Sequence, residues 1–248
     1  NWSNFFCFSA VWTSSFFNNV LTNNFFLHFV KNAINFKFSY ADKKVKKAFF
    51  PFHLRIPAWC KGATISVNGT PIEVDTYTGE IAKISREWQQ GDVLSIELPM
   101  EVTSSTWYEG AAVIERGPLL YALKMNEKWE KKTFETEKQE YGNWYYEVTS
   151  DTPWNYAFNE EELKPENIQK HFIVEKKESI SGYPWNIENA PITIKTHGYP
   201  LKGWNLDRVS VGKIPYYTQQ GLDHETAQPI ELIPYGCTTL RLTEFPVR

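Results

Sequence analysis

The stretch AWCKGATISVNGTPIEV, residues 58–74, alternates apolar and polar residues on both sides of Asn68-Gly69. A two-residue type I′ turn at Asn68-Gly69 pairs Val67 with Thr70, Ile65 with Ile72 and Ala63 with Val74. That register collects the apolar residues of both strands on one face and leaves Thr64, Ser66 and Glu73 on the other. A slip of one residue would reverse every side chain, so turn chemistry and hydrophobic phase specify the same pairing. Pro71 falls opposite Ser66 in a non-hydrogen-bonded pair, where its missing N–H points away from the partner strand. The stretch predicts a β-hairpin.

The same signals continue outward. A Gln90-Gly91-Asp92 turn introduces the alternating run 93–98, which stops at Pro99, and the apolar run 112–123 is broken by Glu115-Arg116-Gly117-Pro118. Further strands are predicted at 171–175, 191–195, 230–233 and 238–243. A helical turn fits within 159–170, where Glu160, Glu161 and Glu162 suit a helix N-terminus. Aromatic residues make up 16% of the chain, and 13 Gly and 14 Pro supply turns; wide side chains with frequent turn formers suit pleated sheets. Residues 126–140 hold nine charged residues of fifteen and read as a solvated connection. The predicted fold is all-β: two consecutive antiparallel β-sandwich, jelly-roll-like domains at 37–125 and 144–248, joined by a charged connection at 126–143. No fixed-period repeat suggests a propeller or solenoid.

Residues 1–36 differ from the rest, with nine Phe, eight Asn and Lys31 as the single charge. The long uncharged run invites a membrane span. Six Asn, four Ser and two Thr within residues 1–30 argue against it, because unpaired amides are costly in hydrocarbon. No basic leading region marks a secretory signal. This segment is read as atypical, and as foreign to the rest of the sequence. A net charge of −3 and a pI near 6.0 give no footprint for nucleic acid. The cluster Lys43, Lys44, Lys46 and Lys47 reads as a solvated strand edge.

Few residues carry a chemical signature. Glu109 and Glu115 are a candidate acid–base pair for glycoside cleavage if their separation suits it, but two solvated carboxylates are the favoured reading. Asp223-His224-Glu225 offers two-thirds of a metal site or a dyad, in a stretch that reads as loop. Cys60, next to Lys61, is a nucleophile candidate only if its pKa is depressed; a half-buried structural cysteine is favoured. Cys7, Cys60 and Cys237 are too few and too scattered for a disulfide framework or zinc cluster. Trp107, Trp154, Trp185 and Trp204 stand near turns and form a candidate sugar platform. Asn1-Trp2-Ser3 and Asn68-Gly69-Thr70 match the glycosylation sequon, the second already explained as a turn. The chain itself therefore presents no catalytic, cofactor or metal residue set.

Several phrases together resemble glycoside hydrolase family 127, which includes β-L-arabinofuranosidases: PFHLRIPAW (51–59), VNG (67–69), REWQQGDVLSIELPM (86–100) and ERGPLLYALK (115–124). The ending IELIPYGCTTLRLTEFP (230–246) is similar to the close of such proteins. The resemblance covers roughly residues 45–248. It implies β-sandwich domains that follow a catalytic (α/α)₆ barrel, whose zinc is held by cysteines and a glutamate and carries a cysteine nucleophile. The Glu-x-Cys element and adjacent cysteines of that site have no match here. The resemblance thus implies a non-catalytic C-terminal region, inactive alone, with the zinc belonging to the barrel. An upstream barrel, a second copy of the chain and an arabinose-containing plant polysaccharide are the expected partners; nucleic acid and membrane are not.

Overall fold

The computed structural model describes residues 32–40, 44–138, 140, 142–178, 183–208, 210–215 and 226–248. The chain divides into two compact units, one up to Met100 and one from Glu101 to Arg248.

The first unit contains β1 (Ala33–Lys37), β2 (Lys47–Arg55), β3 (Thr64–Val67), β4 (Thr70–Pro71), β5 (Ile81–Gln89) and β6 (Val93–Glu97). They form a four-stranded sheet, β1-β6-β3-β4, and a two-stranded sheet, β2-β5. Ile65, Val67, Leu94 and Ile96 from the first sheet share one buried cluster with Leu54, Ala82, Ile84 and Trp88 from the second. That shared core makes the unit a small sandwich, as expected. Period-2 alternation does the sorting: on β2 Leu54 is buried while Phe49 is 72% exposed. Trp88 is fully buried at the centre, stacked on Phe38 at 4.2 Å, with its indole N–H donating to the Phe50 carbonyl.

The Asn68-Gly69 hairpin has the predicted register. Val67 faces Thr70, Ser66 faces Pro71, and the Ile72 N–H donates to the Ile65 carbonyl at 3.0 Å. Asn68 and Gly69 both have positive φ, 51° and 79°, the I′ signature. Asn68 also pins the neighbouring turn: its amide donates to Asp92 Oδ1 and its oxygen accepts from the Val93 N–H, each at 2.8 Å.

The second unit holds β7 (Val102–Thr106), β8 (Ala112–Arg116), β9 (Leu119–Leu123), β10 (Lys128–Lys138), β11 (Gly142–Thr149), β12 (Tyr156–Ala157), β13 (Ile173–Lys176), β14 (Ile192–Pro200), β15 (Leu206–Asp207), β16 (Ser210–Val211), β17 (Gln228–Pro234) and β18 (Glu244–Phe245). Eight of them join in one sheet along β12-β14-β17-β9-β8-β18, with β13 also on β14 and β7 also on β8. Its core includes Tyr121, Leu123, Ile192, Ile194, Leu232 and Phe245, and Phe158 packs on Phe172 and Phe245 at 5.3 and 4.6 Å. The predicted helical turn is the helix Glu160–Leu163, whose Asn159 side chain caps the Glu161 N–H, followed by Ile168–His171.

The structure departs from the sequence-based expectations in four places. The division falls at Met100, not residue 125, because β8 and β9 pair with β18 and β17 at the far end of the chain. Residues 33–36, set apart above as atypical, belong to β1 and pair with β6; residues 1–31 lie outside the described residues. The charged connection is a β-hairpin, β10-β11. Residues 238–243 are not a strand, because the N–H groups of Thr239 and Leu240 turn to the carboxylate of Glu127 instead of a ladder.

Candidate functional site

Three segments far apart in sequence meet in a cleft of the second unit of about 470 Å³. Asn126, Glu127 and Trp129 come from the entry to β10, Trp185 to Glu188 from the loop before β14, and Gly236 to Arg241 from the turn after β17.

Glu127 organises the floor. One carboxylate oxygen accepts from the Thr238 hydroxyl at 2.8 Å and from the backbone N–H groups of Thr239 and Leu240; the other accepts from the Trp129 indole N–H at 3.2 Å. Burial alone would raise its pKa. The hydrogen bonds from Thr239, Thr238 and Leu240 outweigh that and hold the group below the usual carboxylate range. Arg241 is set by three contacts: its Nε donates to the Thr238 carbonyl at 3.1 Å, its Nη1 donates to the Tyr235 hydroxyl at 3.4 Å, and its guanidinium lies 4.6 Å over the Tyr235 ring. The Asn186 oxygen accepts from the Asn189 N–H at 2.7 Å. Trp185 lies against Gly236, where a Cβ would come within 3.0 Å of the indole. The cleft thus offers two indoles, two carboxylates, two carboxamides and a guanidinium, several of them already oriented.

A larger cavity of about 780 Å³ on the same unit is lined by Lys124, Lys170, Lys195, His171 and His197. Its strongest charges are answered internally: Lys124 pairs with Glu231 at 2.6 Å and Lys195 with Glu175 at 2.8 Å.

The sequence candidates fare differently. Glu109 sits in the β7-β8 loop with φ 56°, while Glu115 lies three residues along β8 from Ala112, about 10 Å of strand. Glu115 accepts from the Ser105 hydroxyl at 2.9 Å, which in turn accepts from the Trp107 indole N–H at 2.9 Å. Cys60 is fully buried in the first unit's core, and burial raises its pKa, the opposite of nucleophile activation. Cys237 packs with Ala190 and Ile233, and burial pushes its thiol up to about 12.

Cys7 and Asp223-His224-Glu225 lie outside the described residues, as does Lys43. Among the described residues no group of three or more His, Cys, Asp and Glu side chains converges to hold a metal. Cys60 and Cys237 are free and buried in separate apolar clusters. Lys47 pairs with Glu87 at 3.1 Å on an exposed strand face. No helix among the described residues is long and apolar enough to cross a membrane.

Of the four candidate tryptophans, Trp204 is 2% exposed and packs edge-on against Trp154. Trp107 is 52% exposed, and of the four Trp185 alone lines the cleft. Sequence reasoning missed Trp129, Trp144 and Tyr146. They lie on one face of β10-β11, with ring centroids 5.5 Å (Trp129–Tyr146) and 5.4 Å (Trp144–Tyr146) apart and the Lys131 ammonium 4.4 Å over Trp144. Their period-2 placement on either side of a turn was the available signal, hidden by interleaved charges.

Residues 29–100 match the family model described as Beta-L-arabinofuranosidase, GH127 middle domain. No curated protein matches the chain. Among solved structures, a glycoside hydrolase superposes with a TM-score of 0.52 at 19% identity, over 88% of this chain and 30% of its own. A GH127 beta-L-arabinofuranosidase from Geobacillus stearothermophilus T6 gives 0.52 and 19%, over 88% and 29%. A further GH127 beta-arabinofuranosidase gives 0.50 and 17%, over 88% and 30%. At these identities the structural likeness speaks for the fold, and the chain spans about 30% of the length of the solved structures it matches. The resemblance to glycoside hydrolase family 127 holds: residues 29–100 match its middle domain, and the fold recurs in part of its longer members.

Proposed function

We propose that this chain is a non-catalytic β region of a family 127 glycoside-hydrolase-like protein, bracing a catalytic (α/α)₆ barrel or an oligomer interface. The observation that carries this reading is one of extent: 88% of the chain superposes on only about 30% of much longer glycoside hydrolases. The burial of Cys60 in an apolar core and the hydrogen bond that occupies Glu115 on Ser105 support it further. On this reading the zinc and its cysteine nucleophile belong to the barrel.

The test is turnover. The purified chain, supplied with zinc and reductant, is expected to release no nitrophenol from nitrophenyl L-arabinofuranosides above the buffer rate. Release that tracks the protein through purification and is lost on substituting one of its residues would overturn the proposal. A second reading, binding of arabinose-containing plant polysaccharide, is favoured by the pairing of Trp129 and Trp185 in one polar cleft.

A further inference from the structure

We infer that the cleft between Trp129 and Trp185 is a binding site for a neutral saccharide, held by indole stacking and by Glu127, Asn186, Glu188 and Arg241. This gives the second reading above a site and a ligand class, and it holds whether or not the chain braces a barrel.

A sugar ring has an apolar face of C–H bonds and an edge of hydroxyls, each both donor and acceptor. Its receptor therefore needs flat aromatic surface beside planar groups that donate or accept in pairs. Both are present here. Trp129 is 53% exposed and Trp185 is half-buried, so each indole keeps surface for a ligand while its other side is anchored. Trp185 is seated on Gly236, and Trp129 is held through its N–H on Glu127.

The polar groups are aimed before any ligand arrives. Asn186 uses its oxygen on the Asn189 N–H, which leaves the amide hydrogens to donate into the cleft. Arg241 commits Nε to Thr238 and one Nη1 hydrogen to the Tyr235 hydroxyl, two of the five N–H donors of its guanidinium. Glu127 is fixed by the turn at Thr238 to Leu240, and Glu188 is exposed. Such pre-organisation removes side-chain ordering from the cost of binding. The space, about 470 Å³, lies within the roughly 300–1,000 Å³ usual for small-molecule clefts. Charge sets the ligand class. Glu127 and Glu188 are met by Arg241 and by the Lys177 ammonium, which donates to the Glu188 carbonyl, so the cleft has no surplus positive charge to draw uronates and suits neutral sugars.

The experiment is affinity electrophoresis of the 248-residue chain in gels containing arabinan, neutral arabinogalactan or polygalacturonate. Retardation is expected on at least one neutral polymer and not on polygalacturonate. Trp129→Ala and Asn186→Ala should each weaken binding at least about tenfold with the melting midpoint of the second unit unchanged for Asn186→Ala. Trp107→Ala, which removes an exposed indole at the start of the β7-β8 loop and outside the cleft lining, should bind as the wild type does. No retardation on any neutral polymer overturns the inference, as do retardation insensitive to both cleft substitutions and stronger binding to polygalacturonate. Failure here leaves the bracing proposal standing, since that is read by turnover.

Discussion

Single residues show how burial separates chemistry from structure in this chain. Cys60 was attractive because Lys61 follows it, yet its thiol is sealed among Ile56, Ala63 and Ile65 and its pKa is raised by burial. Cys237 is pushed up further, to about 12. Neither thiolate is accessible to electrophiles in the native state. Iodoacetamide followed by peptide mass spectrometry should therefore leave Cys60 and Cys237 unmodified in buffer and label both in denaturant. Glu127 makes the opposite case. Because its folded pKa is depressed, the charged form stabilises the fold; that contribution is complete above the ordinary carboxylate value of about 4.3 and is lost as pH falls through the folded pKa. Glu127→Gln should lower stability at pH 7 by about 1–2 kcal/mol, the worth of charge-assisted hydrogen bonds. The gap to wild type in a thermal melt should close as the pH is taken from 5 towards 3. A constant gap would assign the effect to packing instead.

Among the elements, two hairpins differ in how legible they were. The Asn68-Gly69 hairpin could be read from sequence to the residue, because the turn demands two positive φ values and one face must be buried. Gly69 at φ 79° has no close neighbours, so Gly69→Ala meets strain rather than a clash and should cost about 1 kcal/mol in a denaturant melt. The β10-β11 hairpin escaped because both of its faces meet solvent. Charged and aromatic residues alternate there without an apolar side, and the charge count suggested a linker. An isolated two-stranded ribbon is marginal in water. Here the cross-strand contacts of Tyr146 with Trp129 and of Phe134 with Tyr145 at 4.9 Å support it, and Trp144 packs on Tyr146 along β11 beneath the Lys131 ammonium of β10. Trp144→Ala should remove about 0.5–1.5 kcal/mol of that support. Amide hydrogen exchange should quicken in β10 and β11 while β14 and β17 keep their protection.

At the scale of the whole molecule, the all-β class followed from turn residues and alternation, which are local signals. The boundary at Met100 did not, because it depends on β8 and β9 pairing with strands over a hundred residues later. The cleft was illegible for the same reason: Trp129, Trp185 and Arg241 are neighbours only after the fold is made. The proposed accessory role rests on extent, with the chain matching about 30% of longer glycoside hydrolases. The most direct measurement is the nucleotide sequence immediately upstream of this coding region, translated in all three frames. The account predicts an (α/α)₆ barrel carrying the cysteine-rich zinc site, in the same or a displaced frame. An unrelated gene or a non-coding stretch in all three frames would contradict it.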